Sequence, residues 1–137
     1  MPVDTRKLKD NFAQVGTNGV AVAEYFYADL FGRNPQLRSM FPAAMAKQHE
    51  VLLAALSQIV ASVDDPDALV PFLRDLGRRH HGFGVVADHY GPVGASLLAT
   101  LAYFSGPEWN EDLERDWTAA YGLVAKVMAE AAAEPVA

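Results

Sequence analysis

His80 stands where the next leucine of an amphipathic helix belongs. Leu69, Leu73, Leu76 and His80 follow the i, i+4, i+7, i+11 spacing that lays one helix face against an interior, so the imidazole is aimed at the same surface as the leucines. An unsatisfied buried polar group costs on the order of 1–3 kcal/mol. The ring therefore needs a partner: a backbone carbonyl, a carboxylate or a metal ion. The remaining histidines offer less. His81 adjoins His80 and points about 100° around the helix, His89 sits in a loop, and His49 reads as an ordinary helix residue. Asp64, Asp65 and Asp67 are spaced superficially like a calcium loop. Ala68, Leu69 and Val70 fall where oxygen ligands and a glycine are required, so the cluster reads as a helix cap. The absence of cysteine removes disulfides, thiolate nucleophiles, iron–sulfur clusters and cysteine-ligated zinc together.

The chain that must position these groups has 137 residues, which suits one domain over 1–137 with a single sizeable core. Any chemistry that needs a second folded module has to come from another chain. With 51% hydrophobic and 20% charged residues the composition is globular, and no stretch is long and apolar enough to span a bilayer. The segment from Met1 to Asp10 lacks the apolar centre of a signal peptide, so a cytoplasmic protein is expected. A net charge of −6 argues against a nucleic-acid partner; Arg74, Arg78 and Arg79 make a local basic patch and not a stripe.

Hydrophobic periodicity is helical throughout. A first helix of about ten residues begins at Asp4 or Thr5 and ends before Gly16. A second runs from near Asn18 to Phe31, with Val22, Phe26 and Leu30 on one side and Tyr27 beside them. Asn34-Pro35 reads as an N-cap followed by proline, opening a short turn that ends at Phe41-Pro42. Gln48, Leu52, Leu56, Ile59 and Val63 share the stripe of the next helix, and the aspartates at 64, 65 and 67 cap the one that leads to His80. Gly82 and Gly84 stop it. Val93, Leu97 and Leu101 mark another apolar helix, broken by Ser105-Gly106-Pro107. Asn110 opens a last helix carrying Trp117, Tyr121, Val124 and Met128, and the alanine-rich tail from Ala131 to Ala137 is expected to fray. The result is an all-α domain.

Read singly, Tyr27 is a core tyrosine with its hydroxyl at the rim, Gln48 a solvated helix residue and Phe41 a hydrophobic corner. Their order says more. Phe26-Tyr27-Ala28-Asp29-Leu30-Phe31 is followed by Pro35, Phe41 and Gln48 to Leu52. Leu76-Gly77-Arg78-Arg79-His80, His89-Tyr90, Pro92-Val93-Gly94, Trp117 and Tyr121-Gly122 come next. This ordered set resembles the globin family, and within it the single-domain bacterial haemoglobins similar to the haem domain of flavohaemoglobins. The resemblance implies a three-over-three helical sandwich around a haem b (iron protoporphyrin IX) held between the Gln48–Leu52 helix and the His80 helix. His80 would then ligate iron, while Phe41, Val93 and Leu97 would lie along the porphyrin. Tyr27, Gln48 and Leu52 would form the distal pocket, where a phenol and a carboxamide favour bound O2 over the less polar CO. Arg79 would pair with a propionate or remain exposed, and His89 would be a loop or propionate contact. Such globins also tie the proximal imidazole to a tyrosine, matched by Tyr90, and to a glutamate whose position falls here on Ala132. Glu130 and Glu134 are displaced from it by about 200° around the helix.

Three functions follow from the resemblance. One is reversible O2 binding for storage, delivery or sensing. The second is a nitric oxide dioxygenase working on NO with a separate reductase, since 137 residues leave no room for flavin and nicotinamide domains. The third is a haem-free signalling module, which would need no pairing of Tyr27, Gln48 and His80.

Overall fold

A computed structural model describes residues 3–133. Its helices are α1 (Thr5–Gly16), α2 (Val20–Arg33), α3 (Ala46–Ala61), α4 (Pro66–Gly82), α5 (Tyr90–Ser105) and α6 (Glu111–Ala133). Short 3₁₀ turns at Pro35–Met40, Ala87–His89 and Gly106–Glu108 join them, and there is no strand among the described residues. The helices α1, α3 and α4 lie over α2, α5 and α6, with α1·α5, α1·α6, α2·α3 and α4·α6 packing across the two layers.

Several ends follow from local chemistry. The Asp4 carboxylate accepts the Lys7 N–H at 3.1 Å and starts α1, and the Asn110 carbonyl oxygen accepts the Leu113 N–H at 2.8 Å and starts α6. Gly106 ends α5 at φ 57°, a backbone conformation that a side chain disfavours. Two expected caps differ. Asn34 turns back, its amide donating to the Leu30 carbonyl at 3.0 Å, so it closes α2 and does not cap the turn that follows. Asp65 occupies the cap position of α4 without a side-chain bond, while Asp64 is drawn to Lys9 of α1 at 2.9 Å. Proline in the first turn supplies the helical φ in its place.

The tail also differs from expectation. Residues 131–133 continue α6 and Ala131 is buried; the rest of the predicted fraying, 134–137, lies outside the described residues. Alanine is the best helix former, and tertiary packing keeps this last turn wound. The layers meet closely where α4 crosses α6. A Cβ added at Gly77 would come within 2.4 Å of the Met128 carbonyl oxygen, so only glycine lets the backbones approach this far. At the far side of the core, fully buried Asn11 donates to the Ser105 hydroxyl at 2.9 Å and accepts the Trp117 indole N–H at 2.8 Å, tying α1 to α5 and α6.

Candidate functional site

Between the layers lies a cavity of about 690 Å³, a size typical of pockets for small organic ligands and cofactors. Tyr27 from α2, Phe41 after the first 3₁₀ turn, Gln48 and Leu52 from α3, Arg79 and His80 from α4, and Tyr90, Val93 and Leu97 from α5 all line it. The structure thus brings together every predicted site residue.

His80 is half-buried, and its Nδ1 lies 2.8 Å from the Leu76 carbonyl oxygen one turn back. A carbonyl can only accept, so Nδ1 carries the proton and Nε2 of the neutral ring keeps a free lone pair. That is the tautomer a metal ligand requires, and the same bond fixes the ring's orientation. The helix supplies this partner itself: Leu76 stands four residues back within α4, and a carbonyl oxygen has two lone pairs, so it can accept Nδ1–H beside a backbone bond.

Tyr27 is buried, and its hydroxyl accepts the Gln48 Nε2–H at 2.9 Å. Burial raises the phenol's pKa and the Gln48 bond only partly opposes it, so the group stays protonated at neutral pH. Because the phenol accepts from Gln48, its own proton remains available to a third group. The opposite amide orientation would spend that proton on the carboxamide oxygen and leave the amide N–H free; either way the pair has a spare donor.

Around this pair the wall is apolar. Phe41 meets Tyr27 edge-on at 5.4 Å and Phe31 at 5.2 Å, and Leu52, Val93 and Leu97 pack on the cluster of Phe26, Tyr27, Leu30 and Leu37. His49 lies outside the cavity wall, half-buried, with its ring 5.7 Å from that of Tyr27. His81 is exposed and does not line the cavity either.

The mouth carries cations. Arg79 lines it while held by Asp75 at 2.7 Å, and exposed Lys47 lines it from α3. His89 is also in the wall; its Nδ1 accepts the Val86 N–H at 3.0 Å, which leaves Nε2 to carry the proton of the neutral ring. Tyr90 lines the cavity with a phenol pKa raised by burial, and its carbonyl accepts the Tyr121 hydroxyl at 2.5 Å. Burial, with Tyr90 second, raises Tyr121 further still. Ala132, onto which the resemblance carries the family's glutamate, lies half-buried in the last turn of α6.

Sequence reasoning missed Lys47, Met40 and Phe83 at the mouth. Phe83 is 78% exposed, unusual for so large an apolar ring. Its setting between Gly82 and Gly84 was the available signal: a loop aromatic that no helical period explains.

Comparison with known proteins agrees with this architecture. A family model described as globin matches residues 24–128. The flavohemoprotein of Bordetella parapertussis is 33% identical over 114 residues, which is 81% of this chain and 28% of that protein. The chain therefore spans less than a third of the length of that curated relative. Among solved structures, a bacterial globin from Campylobacter jejuni superimposes with a TM-score of 0.81 at 24% identity, covering 93% of each chain. A Rhodothermus marinus protein, described as an engineered carbene transferase and a nitric oxide dioxygenase candidate, gives 0.82 at 30% identity over 94% of this chain and 91% of its own. With the helical sandwich, the enclosed cavity and the family match over most of its length, the chain belongs to the globin family.

Proposed function

We propose that the cavity holds one haem b, whose iron His80 Nε2 would ligate, and that the protein binds O2 reversibly for storage, delivery or sensing. Membership of the globin family implies haem. The observation that carries the reading is the Nδ1–H bond from His80 to Leu76, which leaves a metal-competent nitrogen facing a cavity that also contains the Tyr27–Gln48 pair. When bound, haem would supply an iron that can take a diatomic ligand.

The chain's own residues do the rest. Tyr27 and Gln48 present a donor that favours a ligand carrying partial negative charge, and Leu52 with Phe41 keeps water from that donor. Lys47 and Arg79 at the mouth suit the cofactor's carboxylates, and Val93 and Leu97 offer apolar surface to its ring. Residues 1–137 then act as one haem-binding domain of a cytoplasmic protein; no described helix is long and apolar enough to cross a membrane.

The similarity to a flavohemoprotein favours a second reading, turnover of NO to nitrate with a separate reductase. The same pocket would hold both reactants, and CO would bind as a competing ligand. Haemin titration followed by absorption spectroscopy tests the first reading. One equivalent should bind, and His80→Ala should weaken binding and lower thermal stability through the lost ligand linkage. A chain that stays colourless refutes it, and an unchanged spectrum in His80→Ala moves the ligand elsewhere. Many cycles of NO consumption with a nicotinamide alone would contradict the need for a separate reductase.

A further inference from the structure

We propose that Arg38, which stands outside the cavity wall, is a positioning residue for the Tyr27–Gln48 pair: its guanidinium fixes Phe41 and the start of α3, and through them the donors. Its purpose rests on the haem reading; the clamp itself rests on geometry. Between the first 3₁₀ turn and α3 the chain passes through residues 41–45 without regular structure, yet Phe41, Pro42 and Ala44 form part of the cavity wall. Backbone of this kind must find partners elsewhere. No backbone amide among the described residues bonds to the carbonyl of Phe41, Pro42 or Ala43. Arg38 serves all three. Its Nη1 donates to the Phe41 oxygen at 3.2 Å and the Pro42 oxygen at 3.0 Å, and its Nη2 donates to the Ala43 oxygen at 3.1 Å. Bonds from one planar cation to three successive residues fix the direction of the chain as well as its place.

The start of α3 depends on that direction. Met45 precedes the first turn of α3, and no side chain caps it. Gln48 is the third residue of this uncapped helix, so the loop decides where its amide meets the Tyr27 hydroxyl, 2.9 Å away. A second connection runs through rings. The Arg38 Cζ lies 5.4 Å from the centre of the Phe31 ring, which in turn stacks on Tyr27 at 5.7 Å and meets Phe41 at 5.2 Å. One half-buried guanidinium thus braces the supports of both donors. Lysine is no equivalent, because a single ammonium has neither the planar fork for three carbonyls nor a flat face for the phenyl ring. The bonds to Pro42 and Ala43 are exposed, so water can replace them when the side chain is removed. What the molecule loses is geometry more than stability.

Hydrogen exchange on the full chain reads the clamp without reference to haem. The Phe41 amide, bonded to the Arg38 carbonyl, and the His49 amide, bonded to the Met45 carbonyl, flank the loop. In Arg38→Ala both should exchange on the order of tenfold faster, while amides in the middle of α6 keep their rates. In the haem-loaded variant O2 dissociation should rise roughly fivefold and CO dissociation hardly at all, because hydrogen bonds weaken steeply as they leave alignment. Arg38→Lys should show the same changes, and it carries both readouts if the alanine variant does not fold. Added to Tyr27→Phe/Gln48→Leu, Arg38→Ala should have no further effect on O2, since the donors it positions are gone. Unchanged exchange at both amides overturns the proposal, and so does full rescue by lysine. Faster exchange with an unchanged O2 rate overturns it too, because the clamp then holds the loop without positioning the donors, as does an undiminished O2 effect in the background that lacks them. If the unsubstituted chain takes up no haem, the functional reading falls instead, and hydrogen exchange with the lysine comparison decides the clamp on its own.

Discussion

Replacing Tyr27 with phenylalanine removes one oxygen atom from a buried side chain and leaves its ring contacts intact. The phenol is 6% exposed, so the hydrogen bond it can give to bound O2 forms away from water, where a bond to a partly charged acceptor contributes about 1.5–3 kcal/mol. Lost outright, that would raise the O2 dissociation rate by roughly ten- to 150-fold, at about 1.4 kcal/mol per factor of ten. The structure lowers this expectation. Gln48 Nε2, which now donates to Tyr27 at 2.9 Å, is released by the substitution and can turn to the ligand itself. Tyr27→Phe should therefore fall at the lower end, about tenfold. The Tyr27→Phe/Gln48→Leu pair should lose more than the sum of the single effects, since each donor covers for the other. Stopped-flow displacement of O2 by CO reads the rate, with CO dissociation as the control, expected to move about twofold or less because CO is a poor acceptor. Equal changes for both gases, or additive effects in the double variant, would show that these side chains do not act as alternative donors to the ligand.

Three further outcomes follow from the packing and the proximal side. Gly77→Ala places a methyl group 2.4 Å from the Met128 carbonyl oxygen and should destabilise the fold by about 1–3 kcal/mol, read as a lower Tm; an unchanged Tm would mean that α4 and α6 separate freely. Burial raises the Tyr121 pKa above its ordinary value of 10.0, so its stabilisation is full below that value and is lost as pH climbs through the raised folded value. Alkaline unfolding curves should accordingly be shallower in Tyr121→Phe, and an identical pH dependence would refute the assignment. Ala132→Glu, restoring a carboxylate where the resemblance carries the family's glutamate, should stabilise ferric over ferrous haem and lower the midpoint potential. A potential that stays in place would show that position 132 does not communicate with His80.

The helices and their order were legible because burial repeats with the helical period: Leu69, Leu73 and His80 disclosed one face of α4, and Ser105-Gly106-Pro107 its counterpart's end. The cavity residues were legible differently: singly, Tyr27, Gln48 and Phe41 read as ordinary core or surface residues, and only their order along the chain, through its resemblance to globins, grouped them with His80. What the helical period cannot disclose is a choice between two local bonds, as when Asn34 caps backwards onto Leu30 and Asp64 reaches for Lys9. Nor can local propensity show that α6 stays wound to Ala133, since that depends on what Ala131 packs against. The His80 partner illustrates both limits. Its spacing announced the need for one without saying which, and the structure supplies the Leu76 carbonyl oxygen beside Nδ1.

Asn11 has a consequence for the order in which the molecule is made. Its two polar partners, Ser105 and Trp117, lie 94 and 106 residues further along the chain. While the polypeptide emerges from the ribosome, α1 is finished first, but the groups that must meet its buried carboxamide have not yet been synthesised. The first helix is thus the one whose buried polar seat is completed among the last, when α6 is under way. Closing so long a loop is slow relative to pairing neighbouring helices. The beginning of the chain locks its end, and until translation reaches Trp117 the nascent protein carries a helix with nowhere to dock its amide.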